Sequence, residues 1–251
     1  MESSLLATFH EMSWLRFVAS GVLVMIGACL QGVSGLGFAM FCAPLTALWF
    51  PELVPGPLLV LSCPLALMGG ARDFAAIEWR MAGAAVVGRI VGTGVAAACL
   101  LLLSTQTLSL MFALLILTGV SLSLTGWRVQ LSARNTAVAG VASGMMGTIT
   151  SAGAPPFAIA MQHMPPDKVR GTIGAIFFIG SAVSITVLTV VGRMGTHEYL
   201  LSLLLMPWMV AGFLLSNPLK RHVPARTVRS LLLALAAIGA LLVLARTVWT
   251  A

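Results

Sequence analysis

Long apolar runs, each closed by a short polar turn, follow one another along this chain. They cover residues 15–50, 53–70, 81–103, 107–125, 136–163, 168–192, 198–216 and 228–249. A helix crossing a bilayer needs about 20 apolar residues, so six of the runs predict ordinary spans. The first and fifth are different, because glycine and proline interrupt them. The first carries Gly32, Ser34, Gly35, Gly37 and Pro44, and the fifth carries Gly144, Gly147, Thr148, Thr150, Ser151, Gly153, Pro155 and Pro156. The pairs Gly32/Gly144, Gly35/Gly147 and Pro44/Pro156 are each 112 residues apart. Irregular backbone at membrane depth survives only where protein buries it or where it lines a wet cavity. Matched interruptions in two halves point to a transporter's binding site.

Composition agrees with this pattern. Hydrophobic residues make up 59% of the 251 and charged residues 8%, with a mean hydropathy of +1.03. A soluble domain carries about a quarter charged residues, so the expectation is a multi-pass protein with the lipid bilayer as its main partner. The first residues lack the basic start and small-residue cleavage site of a signal peptide, which predicts that the first run is retained.

The formal charge of +7 changes the picture only through topology. If both broken runs were single crossings, basic residues would divide almost evenly between the two faces. If each instead enters and returns as a helical hairpin, with the N-terminus outside, the division becomes ten against three. Arg72, Arg80, Arg128, Arg134, Lys168, Arg170, Lys220, Arg221, Arg226 and Arg229 fall inside, and Arg16, Arg193 and Arg246 outside. That obeys the positive-inside rule, and a basic surface for nucleic acid is not implied. The resulting fold class is all-α: two inverted repeats, 1–126 and 127–251, each a re-entrant or broken helical hairpin plus three spans. Matches at an offset of 120, Glu78/Glu198, Trp79/Tyr199, Gly92/Gly212 and Gly119/Gly239, support the duplication.

The broken runs resemble the glycine-rich, proline-terminated motifs of the TauE/SafE family, the sulfite exporters and their relatives. Gly32, Gly35 and Gly37 with Pro44 form the first motif; Gly144 and Gly147 through Gly153, with Pro155 and Pro156, form the second. The segment Ile77, Glu78, Trp79 and Arg80 resembles the family's acidic-aromatic-basic entry to a helix. The resemblance covers nearly the whole chain. It implies an inner-membrane carrier that exports or takes up a small sulfur-containing anion, such as sulfite, a sulfonate or sulfoacetate, driven by an ion gradient.

The residues give a separate reason to expect an anion. The second limb of each hairpin starts near the midplane, where its first amides lack intrahelical partners and its dipole is positive. Such ends suit anions. Gly32, Gly35, Gly37, Gly147 and Gly153 let backbone approach a ligand, while Gln31, Ser34, Thr148, Thr150 and Ser151 carry amide or hydroxyl donors. Pro44, Pro155 and Pro156 shape the hairpins. The alternative role for the glycines is tight helix packing, and for the hydroxyls a bond to their own helix. Arg89 is the charged residue deepest within a span, roughly 13 Å from Arg80 at 1.5 Å per residue. A guanidinium there is costly and marks a pathway; it can bind an oxyanion in bidentate fashion, or it can bond to broken-helix carbonyls.

Other chemistry is thinly represented. Cys29, Cys42, Cys63 and Cys99 form no CxxC pair, and neither a metal site nor a resident cofactor is expected. Cys29 and Cys42 flank the first broken run, as packing residues or as thiols lining the site. His10, His163, His197 and His222 lie near run ends. A membrane-embedded enzyme would need a nucleophile with a base, or a metal cluster, and HExxH and GxSxG are absent. An anion channel, or a carrier of a non-sulfur carboxylate, shares the same architecture. A zwitterion would need a deep carboxylate for its ammonium, and none is present at that depth. Coupling to H⁺ or Na⁺, direction and oligomeric state are left open.

Overall fold

The computed structural model describes residues 14–124, 130–220, 234–242 and 244–245. Arg128, Arg221, Arg226, Arg229 and Arg246, used in the charge argument, lie outside them, as does the predicted boundary between repeats. Among the described residues every regular element is helical. The order is α1 (Trp14–Ser34), α2 (Phe38–Trp49), α3 (Gly56–Arg72), α4 (Trp79–Leu102), α5 (Thr105–Leu124), α6 (Ala133–Thr150), α7 (Pro155–Ala160), α8 (Pro166–Val190) and α9 (Thr196–Leu219). Residues 234–242 are also helical. α1, α4, α8 and α9 are long and apolar enough to cross a membrane.

Both interrupted runs break where their glycines predict. In the first, Gly35 and Gly37 take φ of 78° and 146°, in the region that an L side chain disfavours. In the second, Ser151 ends α6 in the left-handed conformation at φ 63°, a common helix stop. The limbs are unequal, however. α1 has 21 residues and α2 has 12, while α6 has 18 and α7 only six. The first limbs are therefore nearly full-length helices, and the return limbs begin part-way back along them. Phe38 lies beside Gly27, and Gly153 lies beside Ser143 and Gly147.

Each broken run returns towards the end from which it started. Arg16, near the start of α1, donates to the Trp49 carbonyl at 3.1 Å and pairs with Glu52 at 3.2 Å. In the second run, Ala160, Met161 and Met164 share a buried cluster with Ala139 on α6 and Ala82 on α4. The tip of the first run, Gly35, lies against Arg170. The tip of the second, Ser151, donates to the Pro55 carbonyl at 2.8 Å.

The remaining helices pack by close backbone approach. A Cβ at Gly88 or Gly92 would stand 2.0 Å from the carbonyl oxygen of Ala137 or Val141, so α4 and α6 touch through glycine. Gly140 and Gly144 answer from α6 against Ala85 and Arg89. The same device joins α9 to α1, where Gly212 meets Met25, and α3 to α8, where Gly174 meets Gly70. Lipid gives no hydrophobic drive between helices, so small residues that admit such contact carry the association. The pairings are reciprocal: α4 lies on α6 as α9 lies on α1, α4 touches α8 as α9 touches α3, and α3 crosses α8.

Charged side chains gather at the two ends. Arg72, Asp73 and Arg170 form one group, with Lys168 paired to Glu78 beside it. At the opposite end are Arg16 and Glu52, and Arg193, which donates to the Leu100 carbonyl at 2.7 Å.

Candidate functional site

The glycine contacts that bring α4 against α6 also carry Arg89 into the interior. Its side chain is 2% exposed and reaches between α6 and α8. Nη1 donates to the Ser143 hydroxyl at 2.6 Å, and the Ser143 hydroxyl donates to the Gly153 carbonyl at 2.6 Å. The guanidinium lies 5.2 Å from the centre of the Phe177 ring. Nε is buried without a hydrogen-bond partner, and among the described residues no carboxylate forms an ion pair with Arg89. The packing leaves it little latitude: a Cβ at Gly180 would stand 1.9 Å from Nε, one at Gly153 3.0 Å from Nη1, and one at Gly147 3.3 Å from Nη2.

Arg89 faces a small cavity. The walls come from both broken runs and from the crossing between α3 and α8. Gln31, Gly37 and Ala39 line it from the first run; Ser151, Gly153 and Ala154 from the second. Ser62 on α3 and Ser181 on α8 close it, with their hydroxyls 3.1 Å apart. Gln31 and Ser143 play matched parts, each one residue ahead of a paired glycine. The Gln31 side-chain oxygen accepts from the Phe38 amide at 3.2 Å, while Ser143 holds Gly153, so each ties a first limb to the beginning of its return limb.

Of the residues expected from sequence, Gln31, Gly37, Arg89, Ser151 and Gly153 therefore meet in one cavity, and Gly147 backs the guanidinium. The others are used differently. Gly32 packs on Ser216, and its carbonyl accepts from Arg72. Ser34 bonds within its own turn, to Leu30 and Leu36. Thr148 is fully buried and bonds to the Gly144 carbonyl and the Ser184 hydroxyl, both at 2.8 Å, and to Thr93 at 3.2 Å. Thr150 donates to the Met146 carbonyl at 2.7 Å and accepts from the Ala152 amide at 3.0 Å. Gly35 lines a neighbouring cavity. Pro44 sits inside α2 against Gly239. Pro155 and Pro156 begin α7 and carry no N–H, and the Phe157 amide that follows them donates to the Ala154 carbonyl at 3.1 Å. Cys42 is buried, with Sγ 3.7 Å from the Leu23 carbonyl, and neither Cys29 nor Cys42 lines the cavity.

Ser143, Ser62, Phe177, Gly180 and Ser181 contribute without having been singled out in the sequence. Ser62 and Ser181 are separated by 119 residues, and only the crossing of α3 and α8 brings them together. The assembled site offers a fixed guanidinium, a hydroxyl pair and an amide side chain, without an acid among the walls. A guanidinium and neutral donors of this kind can hydrogen-bond to an oxyanion.

Residues 19–243 match the family model described as Sulfite exporter TauE/SafE. A protein of Comamonas testosteroni described as "Probable inner membrane transporter protein TsaS" is 26% identical over 186 residues, covering 69% of this chain and 75% of the relative. No solved structure matches the chain significantly.

Proposed function

Because the chain belongs to the sulfite exporter TauE/SafE family, we propose that it is a secondary transporter carrying a small sulfur-containing anion, of the sulfite, sulfonate or sulfoacetate kind, across the cytoplasmic membrane. The observation that carries this reading is Arg89: a buried guanidinium without an acid partner among the described residues, facing a cavity lined by both broken runs. A central Arg costs about 2.5–3.5 kcal/mol on insertion scales. Several oxyanion oxygens taking up its donors would offset that cost when cargo is bound. The anion sits between the starts of α2 and α7, with Arg89 as its main counter-charge and the first-turn amides of α2, Gln31 and the Ser62–Ser181 pair as further donors.

The reciprocal packing supports a duplicated fold with residues 1–126 and 127–251 as inverted halves. In such folds one bundle rocks against the other around a fixed site, which gives alternating access. Among the described residues the walls of the cavity include neither carboxylate nor histidine, which favours a proton carried on the anion itself.

Binding to purified protein tests the proposal. Sulfite, sulfoacetate, taurine, acetate and chloride are compared by thermal shift on the native chain and on Arg89→Ala. Selective stabilisation by a sulfur oxyanion, lost in the variant, is the expected result. Equal shifts with acetate would move the cargo to carboxylates, and no shift with any anion would overturn the reading.

A further inference from the structure

We propose that Arg72 and Arg170 form a second anion site, one step from Arg89 along the same route; the inference deepens the anion-transport reading and rests on it. Arg72 closes α3, and Arg170 lies in the second turn of α8. Both turn to a single carboxylate: Arg170 Nε is 2.8 Å from Asp73, and Arg72 Nε is 3.9 Å from it. The side chains are only 17% and 18% exposed, and that of Asp73 15%. The nearby Glu78 is already matched by Lys168. Two guanidiniums against one carboxylate leave this half-buried group with one positive charge.

Arg72 is pinned in place. Nη1 reaches Asn217 at 3.2 Å and Ser216 at 3.4 Å, Nη2 donates to the Gly32 carbonyl, and the group lies 4.9 Å from the Phe213 ring centre. Its Nε has no hydrogen-bond partner. Beside it opens a small cleft, which both arginines line. Gln31 and Phe177 line this cavity and the Arg89 cavity alike, so the two share a wall. The Gln31 oxygen is occupied by the Phe38 amide, which leaves its NH₂ to face an anion. A sulfite or sulfonate entering here exchanges with Asp73 for the Arg170 fork. That competition keeps binding weak enough for the anion to move on, as a transit site requires.

Gly69 offers the test, because it lines this cavity and a Cβ there meets nothing within 4 Å. In Gly69→Cys, the modification rate by anionic 2-sulfonatoethyl methanethiosulfonate is compared with that of its trimethylammonium counterpart. Each rate is normalised to a free thiol, with the native chain as blank. The expected preference for the anionic reagent is about ten-fold, the lower end for a charged cleft. Adding Arg170→Gln, which leaves Arg72 and Asp73 matched one to one, should abolish it, and Asp73→Asn should raise it. Arg89→Ala should leave it in place. Equal normalised rates in Gly69→Cys, or a preference unmoved by both charge changes, would overturn the second site. These reagents report the pocket whether or not the chain carries anions. A native protein that no anion stabilises would count against the transport reading alone.

Discussion

The Arg89 guanidinium holds the Ser143 hydroxyl at 2.6 Å, and that hydroxyl in turn holds the carbonyl of Gly153. The buried charge and the break in the second run are thus joined through one side chain. Removing the hydroxyl in Ser143→Ala frees Nη1 and orphans the Gly153 carbonyl. A hydrogen bond to a charged group contributes about 1.5–3 kcal/mol. We expect affinity for the preferred anion to fall by about ten-fold, because the guanidinium loses its aim, and Ser143→Thr to recover most of it. Calorimetric titration of the three proteins checks this; equal affinities would mean that Ser143 packs without positioning.

Arg89 itself should separate stability from binding. A residue kept for structure destabilises when removed, whereas an unpaired buried charge is itself a cost. Arg89→Met, of similar length, should melt at or above the native temperature without ligand, yet show no anion-dependent shift. Loss of several degrees in the unliganded state would make Arg89 structural. Arg89→Lys keeps the charge but loses the planar fork, and should retain less than about a tenth of the native affinity.

How far these features were legible in sequence follows from which signals are local. The helix breaks around Gly35 and Gly37, and around Gly153, Pro155 and Pro156, were legible because glycine admits backbone that other residues disfavour and proline cannot continue a helix. Arg89 was legible because a lone charge in an apolar run has few reasons to be there. The hydroxyls of Ser34, Thr148 and Thr150 satisfy backbone or a neighbouring hydroxyl, because composition gives a donor but not its rotamer. Phe177, Gly180 and Ser181 were invisible because α8 is an unbroken span, and only its crossing with α3 and the approach of Arg89 give those positions a role. The length of the limbs was not legible either, since a glycine marks where a helix stops but not how far its partner runs alongside.

Close packing and open space among the glycines of α4 give a paired prediction. Gly92 would place a methyl 2.0 Å from the Val141 carbonyl oxygen, whereas Gly94 meets nothing within 4 Å. Gly92→Ala must push α4 from α6, and overpacking of this kind costs roughly 1–3 kcal/mol; transport should fall with it. Gly94→Ala should be neutral or stabilising, by up to about 1 kcal/mol from helix propensity. Thermal melts of the two variants decide the matter, and a similar loss in both would mean that glycine serves α4 by something other than contact with α6.

The hairpin arrangement makes a prediction about sidedness that the helix lengths alone do not. α1 is long enough to cross by itself, so a chain that crossed once through residues 14–49 would leave Trp14 and Trp49 on opposite faces. The contact of Arg16 with the Trp49 carbonyl and with Glu52 instead gathers the two ends of that run. Trp14 and Trp49 stand at the two ends of that run and are 67% and 59% exposed on the protein surface. Trp14→Cys and Trp49→Cys should both react with an impermeant maleimide on intact cells, the outcome expected if the ten-to-three division of basic residues sets this end outside. Arg134→Cys and Asp167→Cys, flanking the second broken run, should react only after permeabilisation. Labelling of Trp14→Cys and Trp49→Cys from different sides would overturn the hairpin and, with it, the proposal that the two halves are inverted. Labelling of both from the cytoplasm would keep the hairpin and reverse the orientation.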